Sequence, residues 1–423
     1  MTKPFQPIVF AFLLSIIGFA TILPASAADI NPKDYGATGN GSTDDQVALE
    51  KAFAAANSTP NSTVLFPAGS YLHSGKLFGT NGTAVAAAPK ATVSLIATTA
   101  EAAVHLSGEG ASVEKVQFGT NSGGGTAIVF DKNATKFTAK SVVVVEGFAV
   151  GIKAVSGRNG TIKNCEISVK PNKTGLRCES CNKVSLEKNT WIGDVHTSNK
   201  NITAAEFNGC ENVSVTGDNF RYTDVAVAVT NSKTFKLSTS RIEPCFVGVL
   251  AANVSDLNVS NCAFEGLSRS SGLALDTHAC RGLTADGNQI GNLLKACQIA
   301  DGSNVQVNDN KIENVGGGIA VTDAENVSVN ENEITSSNSF GIFLQFDDEK
   351  VDCLRNKLQN CGLGSSPTLA VIEANCPLSP RISIGENQYS GNTKGLSFFV
   401  RCIQRHPQAN LFGNVTNTML PSK

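Results

Sequence analysis

The chain has 423 residues, with 34 Lys and Arg against 36 Asp and Glu, giving a formal net charge of -2. This balance excludes the strongly basic surface by which proteins bind nucleic acid. Gly, Asn, Val, Ser and Thr are spread evenly from about residue 100 onward without a Pro/Ser-rich linker, which indicates a repeat rather than several domains.

Residues 1–27 have the layout of a secretory signal peptide. Lys3 precedes an apolar run from Ile8 to Leu23, and Ala25-Ser26-Ala27 forms a small-residue cleavage site. An uncleaved membrane anchor is the alternative, but the polar residues that follow favour removal. We therefore expect a secreted or periplasmic protein with no membrane segment after cleavage, whose residues 28–423 form one domain.

The segment 28–75 is expected to hold an N-terminal cap and a first coil. Thr43-Asp44-Asp45-Gln46 has the pattern of a capping box at a helix start. Val47, Leu49, Phe53 and Ala56 then place apolar groups on one side of a short helix. Such a helix would cover the strand edges that the end of a coil stack leaves unpaired.

A unit of 22 residues with occasional insertions recurs through the following chain, as from Val305 to Val327. Each unit begins with an apolar residue, has a large apolar residue seven positions later, and has a short polar residue between them. We predict that the polar residues form a stacked ladder in which Asn adopts the tight left-handed bend. These positions are Asn189, Asp218, Ser240, Cys262, Asn288, Asn310, Asn332 and Asn356.

A third strand follows in each unit, often opened by Gly as in Gly175-Leu-Arg-Cys178. Three alternating strands per unit, each stacked on its equivalent in the next, predict an all-β fold: a single-stranded right-handed parallel β-helix with about 22 residues per coil. A leucine-rich solenoid is the rival, but its Leu/Asn consensus is absent. Residues 350–423 are expected to form irregular C-terminal coils.

The 12 cysteines are expected to be local staples or core residues. Cys178 and Cys297 fall at inward strand positions, whereas Cys181 and Cys210 share one turn position on successive coils, close enough for a disulfide. A lone Cys-x-x-Cys match does not favour a zinc site. The cysteines expected to staple the irregular C-terminal coils are Cys353, Cys361, Cys376 and Cys402.

The N-terminal region resembles the pectate lyase-like superfamily. The resemblance rests on the run from Asp34-Tyr35-Gly36 to Asp44-Asp45, then a helix, then Val64-Leu65-Phe66-Pro67-Ala68-Gly69-Ser70-Tyr71. It implies the parallel β-helix and relatives such as polygalacturonase-like and rhamnogalacturonase-like enzymes and phage tailspikes. The polygalacturonase-type Asn-Thr-Asp, Asp-Asp, Gly-His-Gly and Arg-Ile-Lys motifs are not found in the expected order, and the epimerase-type Asp-Pro-His is missing.

In this family the ligand groove usually follows the Gly-opened strand, so side chains that point outward there are candidates for a site. Strand alternation places Lys153, Arg177, Glu179 and Glu206 in one patch, because adjacent coils are about 4.8 Å apart. The longest insertion adds a loop with Asp194 and His196 beside them, and Arg221 and Tyr222 hold the same place one coil later. Trp191 is interpreted as a core residue.

This patch has the groups that polysaccharide chemistry needs. In a β-eliminating lyase, Arg177, Lys153 or Arg221 would neutralise a uronate carboxylate, and His196 or Tyr222 would remove the adjacent proton. In a hydrolase, two of Glu179, Glu206 and Asp194 would act as the carboxylate pair. The same carboxylates could hold Ca²⁺. The structural alternative is a set of solvated ion pairs across the sheet.

Two further clusters are weaker candidates. In the first cluster, Asp276 and His278 would lie on one face, and Arg269 and Arg281 would lie nearby. Ala274 and Asp276 are taken as the outward pair of this strand. The second cluster, for which packing of a C-terminal loop is favoured over sugar stacking, consists of Phe343, Gln345, Asp347, Glu373, Phe399 and Arg401.

The leading interpretation is an exported enzyme that acts on an extracellular polysaccharide, with a uronate-containing chain and lyase or epimerase chemistry favoured. The catalytic candidates are Arg177, Glu179, Asp194, His196, Glu206 and Arg221, and the substrate-binding candidates are Lys153, Tyr222, Asp276 and His278. Glycoside hydrolysis is the alternative reaction. A carbohydrate-binding or surface-structure protein without catalysis is the non-enzymatic alternative.

Overall fold

The computed structural model describes residues 27–194, 201–345, 350–362, 372–375, 382–391, 400–402, 410–412 and 415–416. Within them the chain winds into a parallel β-solenoid of about 24 residues per turn, a right-handed parallel β-helix as predicted. Only Ala27 of the expected signal peptide falls in these ranges. No helix in the described part of the chain is both long and apolar enough to cross a membrane.

Three parallel sheets form the sides of the helix, and a typical turn gives one strand to each in the order sheet 1, sheet 2, sheet 3. Sheet 1 has 16 strands: Asp29–Ile30, Thr63–Phe66, Ala84–Ala87, Ser112–Glu114, Thr138–Lys140, Arg158–Lys163, Asn182–Glu187, Glu211–Thr216, Lys233–Ser238, Ser255–Ser260, Thr284–Asp286, Ser303–Asn308, Glu325–Asn330, Val351–Leu354, Ile382–Gly385 and Asn410–Phe412.

Sheet 2 also has 16 strands: Asn40–Asp44, Gly69–His73, Val93–Ala97, Gln117–Thr120, Val143–Val144, Glu166–Ser168, Thr190–Ile192, Asn219–Arg221, Arg241–Ile242, Ala263–Glu265, Gln289–Gly291, Lys311–Val315, Glu333–Ser337, Lys357–Gln359, Gln388–Ser390 and Val415–Thr416. Sheet 3 has 14 strands: Lys76–Gly79, Ala103–Leu106, Thr126–Phe130, Val150–Val155, Thr174–Glu179, Thr203–Asn208, Val225–Thr230, Val247–Ala252, Leu273–His278, Lys295–Ala300, Gly317–Thr322, Ile342–Gln345, Ile372–Asn375 and Val400–Cys402.

An α-helix, Gln46–Asn57, takes the place that a strand of sheet 3 would have in the first turn, and a 3-10 helix, Pro32–Tyr35, precedes it. The α-helix packs on Lys76–Gly79, the edge strand of sheet 3. It buries Leu49, Phe53 and Ala56, as the apolar spacing predicted. The predicted core position of Val47 is wrong, because its side chain is 64% exposed.

The predicted capping box is also wrong. The residue before the helix is Asp45, and Thr43 belongs to the preceding strand. The Asp45 carboxylate instead accepts hydrogen bonds from the backbone N–H groups of Thr38 at 2.7 Å and Gly39 at 3.0 Å. The Gln46 side chain accepts from the Gly75 backbone at 2.8 Å, so these polar groups tie the cap to neighbouring turns rather than to the helix end.

The predicted polar ladder lies buried between sheets 1 and 2. The Nδ2 atom of Asn310 donates to Asn332 Oδ1 in the next turn at 2.9 Å and to the Ala285 carbonyl in the preceding turn at 2.9 Å. Asn332, Asn356 and the unpredicted Asn387 continue the pattern at 3.0 Å per step. Every buried amide is thereby satisfied by its neighbours above and below.

The ladder residues themselves do not adopt the left-handed bend, in contrast to the prediction. The residue before each one does: Asp309 has φ 53°, Glu331 has φ 59° and Arg355 has φ 57°. This arrangement leaves the ladder side chain pointing inward while the chain turns the corner at its exposed neighbour.

The core positions predicted from the repeat are filled as expected. Trp191 is fully buried, stacks on Phe220 with ring centroids 6.0 Å apart, and donates from Nε1 to Asp218 Oδ2.

Gly160 occupies a position where most units have a large apolar residue. A Cβ there would lie 2.0 Å from Cζ of Phe137, so the Phe137 ring from the preceding turn fills the space.

The expected disulfide between Cys181 and Cys210 is absent, because both are buried free thiols. Each thiol points to a carbonyl of the preceding turn instead: Cys181 Sγ to Ala154 O at 3.4 Å and Cys210 Sγ to Cys178 O at 3.4 Å. Cys353 is also a buried free thiol rather than a staple, and the buried Cys361 Sγ donates to the Ile334 carbonyl at 3.5 Å. Cys376 lies outside the described residues.

Candidate functional site

The outward face of sheet 3 carries two columns of side chains that run along the helix. Strand register defines column 1 as Phe78, His105, Val129, Lys153, Arg177, Glu206, Ala228, Leu250, Asp276, Gln298, Ala320 and Phe343. Column 2 lies two residues further along each strand, as with Glu179 and His278.

The four residues of the predicted patch come together on this face as two ion pairs between neighbouring turns. Lys153 Nζ lies 3.1 Å from Glu179 Oε1, and Arg177 Nε lies 2.9 Å from Glu206 Oε2. Arg177 also donates from Nη2 to Thr174 Oγ1 at 3.3 Å. All four charged side chains are about one-third exposed, so each remains within reach of a ligand.

A histidine–aspartate pair, which the sequence interpretation missed, lies on the same face closer to the N-terminus. His105 Nδ1 is 3.3 Å from Asp131 Oδ2, and the exposed side chain of Phe78 has its ring centroid 5.1 Å from that of His105. Because a carboxylate only accepts, the neutral imidazole donates from Nδ1 and presents Nε2 as an acceptor. The His105 side chain is 17% exposed, so this acceptor is positioned by packing as well as by Asp131.

The predicted loop residues do not all lie beside the charged patch on sheet 3. His196 lies outside the described residues, and Asp194 is the last described residue before that gap. Arg221 ends a strand of sheet 2, so it is on a different sheet from Arg177. Tyr222 follows it at the turn toward sheet 3, with φ 58° and a side chain 37% exposed.

The second predicted cluster is partly correct. Asp276 and His278 do share the outward face of sheet 3, but the expected Ala274/Asp276 pair is wrong by two residues because Leu250 pairs with Asp276 and Ala252 with His278. Ala274 is buried.

Asp276 lies near Lys295 and His278, and partial burial raises the pKa of its carboxyl group despite the opposing effect of Lys295 and His278. Lys295 Nζ donates to Gln298 Oε1 at 2.8 Å, and His278 Nδ1 is 3.1 Å from Asp301 Oδ2. The two arginines expected nearby lie elsewhere: Arg269 donates to Asn338 Oδ1 at 2.8 Å, and Arg281 bridges into sheet 1 beside Ser255.

The C-terminal cluster is only partly described. Phe343 faces outward in column 1 and packs against Phe340 with ring centroids 5.7 Å apart. Register pairs Phe343 with Glu373 in the next turn. Asp347 and Phe399 lie outside the described residues.

The chain was compared with known sequence families and solved structures. Residues 30–250 match the family described as rhamnogalacturonase A/epimerase, pectate lyase-like. Residues 192–420 match the family described as periplasmic copper-binding protein (NosD). No curated protein matches the chain.

Solved structures share the fold at low sequence identity. The surface adhesin PfbA of Streptococcus pneumoniae is 15% identical, with 88% of this chain and 92% of that chain covered and a TM-score of 0.52. The Family 28 exopolygalacturonase of Yersinia enterocolitica is 10% identical over 94% and 80%, with a TM-score of 0.50. Tailspike protein 3 of bacteriophage CBA120 is 13% identical over 92% and 62%, with a TM-score of 0.52. These similarities show the fold alone.

The copper named for the second family has no matching ligand set in the part of the chain that the structure describes. In that part no group of three or more His, Cys, Asp or Glu side chains is arranged to hold a metal ion, and this includes Glu179, Glu206 and Asp194, which the sequence suggested as possible Ca²⁺ ligands. Each family matches more than half of the 423 residues. The chain therefore belongs to the rhamnogalacturonase A/epimerase, pectate lyase-like family through its N-terminal turns and to the NosD family through its C-terminal turns.

Proposed function

We propose that this protein is an exported enzyme that binds a uronate-containing polysaccharide along sheet 3 and acts on it by β-elimination or epimerisation. The observation that carries the proposal is the His105–Asp131 pair, which lies beside an exposed aromatic ring and on the same face as two cations. Family membership and the expected signal peptide support an extracellular or periplasmic polysaccharide as the partner.

The N-terminal part of this face can supply a base, a cation and a stacking platform. His105 Nε2 would remove the proton from the carbon next to the uronate carboxylate, with Asp131 holding the imidazole and stabilising its charged form. Lys153 lies two turns from His105, about 10 Å along the sheet. Lys153 would stabilise the negative charge that develops on that carboxylate, and Arg177, one turn further on, would bind the carboxylate of a neighbouring uronate. Phe78 would pack against the apolar face of a sugar ring.

In elimination, His105 takes the proton of the C–H bond, the electron pair of that bond forms the C=C bond, and the glycosidic C–O bond breaks as water protonates the leaving oxygen. In epimerisation, His105 takes the same proton and water returns a proton to the same carbon from the opposite face. Both reactions begin with the same proton transfer, so the histidine and the cations serve either outcome.

Asp276 and its neighbours would extend the binding surface toward the C-terminus. Column 1 runs from His105 to Gln298 over eight steps between turns, about 38 Å at ~4.8 Å each. Between the two charged regions the column has only Ala228 and Leu250, whose uncharged side chains would let a polysaccharide chain lie along the sheet. A carboxyl group with a raised pKa, such as Asp276, is also what a glycoside hydrolase needs as its acid, so hydrolysis is the second candidate function.

The test measures product chemistry on polygalacturonate, alginate and neutral glycans. Unsaturated products or exchange of the carbon-bound proton with deuterated solvent support the proposal, and His105→Gln should lower that rate by about 100-fold or more. New reducing ends without unsaturation would identify a hydrolase instead. Binding without turnover would identify a carbohydrate-binding protein.

The matched control is Lys163→Met, which removes a similar ion pair between turns, Lys163–Glu187 at 3.0 Å, on sheet 1. It should leave turnover unchanged. Full activity of His105→Gln would eliminate the proposed base.

A further inference from the structure

Sheet 2 has a hollow in its outward face that is separate from the sheet 3 surface. Four successive turns present the outward pairs Arg241/Glu243, Ala263/Glu265, Gln289/Gly291 and Lys311/Glu313. The small residues Ala263 and Gly291 lie diagonally opposite in the two middle turns, so longer side chains surround a gap. The cavity measures about 350 Å³, at the lower end of small-ligand sites.

Each end of the hollow is bordered by an ion pair between two residues of the same turn. Arg241 pairs with Glu243 at one end, and Lys311 Nζ lies 3.0 Å from Glu313 Oε1 at the other. In the middle, Asn292 donates to Glu265 Oε1, which fixes that carboxylate over Gly291. A Cβ at residue 291 would lie 2.9 Å from Glu265 Oε2, so a side chain at this position would displace the carboxylate from the hollow.

The chemistry of this lining is mixed rather than strongly charged. Three carboxylates and two cations leave a formal charge of -1, and the ion pairs at the ends neutralise most of it. Carboxylate oxygens, the Gln289 amide and the cationic N–H groups alternate as acceptors and donors, as adjacent hydroxyl groups require. The Ala263 methyl group adds a small apolar surface, and the Glu265 carboxylate covers Gly291 beside it.

We infer that the sheet 2 hollow is a binding site for one or two rings of a neutral saccharide. The ring would lie on Ala263 with its hydroxyl groups bonded to Glu265, Gln289 and the ion pairs at the two ends. Because the hollow is on a different sheet from His105 and Lys153, a chain bound there would leave the sheet 3 surface accessible.

The test is calorimetric titration of the full chain with cellohexaose, maltohexaose, mannohexaose and xylohexaose. At least one should bind, and Gly291→Gln should weaken its Kd by at least about tenfold, since the new side chain fills the hollow. Gly291 has no left-handed φ, and its nearest neighbour is the end of a flexible side chain, so the substitution is compatible with folding. Should Gly291→Gln nevertheless fail to fold, Gln289→Ala on the exposed surface should weaken the same binding.

The matched control is Ser168→Gln, at the same column of sheet 2 five turns earlier, which should leave the Kd unchanged. No binding by any of the four neutral chains, or binding that Gly291→Gln leaves intact in a natively folded protein, would overturn the inference. His105→Gln should retain this binding, so failure of the uronate chemistry on sheet 3 is distinguishable from failure of the hollow.

Discussion

The indole Nε1 of Trp191 donates a hydrogen bond of 3.0 Å to Asp218 Oδ2 in the buried ladder. Most other ladder positions have Asn, whose amide oxygen accepts from the preceding turn while its nitrogen donates to a backbone carbonyl. Asp218 accepts at both oxygens, since Asn189 N donates to Oδ1 at 2.9 Å. The ladder therefore has a carboxylate, Asp218, at the position where the neighbouring Trp191 side chain supplies an additional hydrogen-bond donor.

We expect Asp218→Asn to destabilise the protein because its amide N–H would face the indole N–H. The same substitution in a Trp191→Phe background should cost at least about 1 kcal/mol less, since no indole donor remains unpaired. Denaturant unfolding of the two single variants and the double variant measures this coupling. Additive free energies of unfolding would contradict the explanation for Asp at this position.

Asp218 should also make stability depend on pH. Burial raises the pKa of its carboxyl group from 3.8 to about 6 in the folded protein, against the effect of the hydrogen bonds from Asn189 and Trp191. The folded state then holds the proton more tightly than the unfolded state, so this group's contribution is most favourable below about pH 4. It falls as pH rises toward about 6 and is constant above that, with a total change of about 3 kcal/mol.

The measurement is the difference in free energy of unfolding between wild type and the Asp218→Asn/Trp191→Phe double variant from pH 4 to 8. Other carboxyl groups titrate in both proteins and cancel in the difference. A difference that does not change with pH would show that Asp218 is ionised in the folded state throughout.

The regular turns were predictable because their 22-residue spacing keeps each side chain in one column. Inward positions such as Trp191 and Ile312 followed from that spacing alone. The error at Asp276 arose because the turn from Leu250 is 26 residues long, and its length does not show on which side of the strand the extra residues lie. The structure places them before the strand, in the segment that contains Arg269.

The charged patch was predicted by strand alternation, but its pairing was not, because alternation gives the face of a side chain and not its partner. His105 was missed since the turns before Gly160 lack the repeat consensus, although Ala103-Val-His-Leu106 alternates as a strand should. At the cap, the run Thr43-Asp44-Asp45-Gln46 fits a capping box locally. Its actual role is determined by the contacts of Asp45 with Thr38 and Gly39, before the preceding strand, and of Gln46 with Gly75 in the next turn, which the local pattern does not show.

The Arg177–Glu206 pair should matter more for binding than for stability. Its two side chains are 36% and 33% exposed, and exposed ion pairs contribute about 1 kcal/mol or less. Arg177→Met should therefore leave the free energy of unfolding nearly unchanged while raising KM for polygalacturonate at least about tenfold, by loss of a carboxylate-binding cation. Lys163→Met on sheet 1 serves as control, and equal KM values for both variants would remove Arg177 from the binding surface.

Side chains at position 160 and at position 137 in the preceding turn should compete for the same space in the core. Gly160→Ala would place a methyl group where the Phe137 ring lies, and that ring is itself stacked on Phe130 with centroids 4.6 Å apart. We expect the substitution to cost about 1–3 kcal/mol through overpacking.

Phe137→Leu alone should also destabilise the protein, by leaving space over the glycine. In the double variant the smaller side chain makes room for the methyl group, so the combined loss should be smaller than the sum by at least about 1 kcal/mol. Denaturant unfolding of the three variants checks this, and a double variant with the full summed loss would show that the two positions do not share one space.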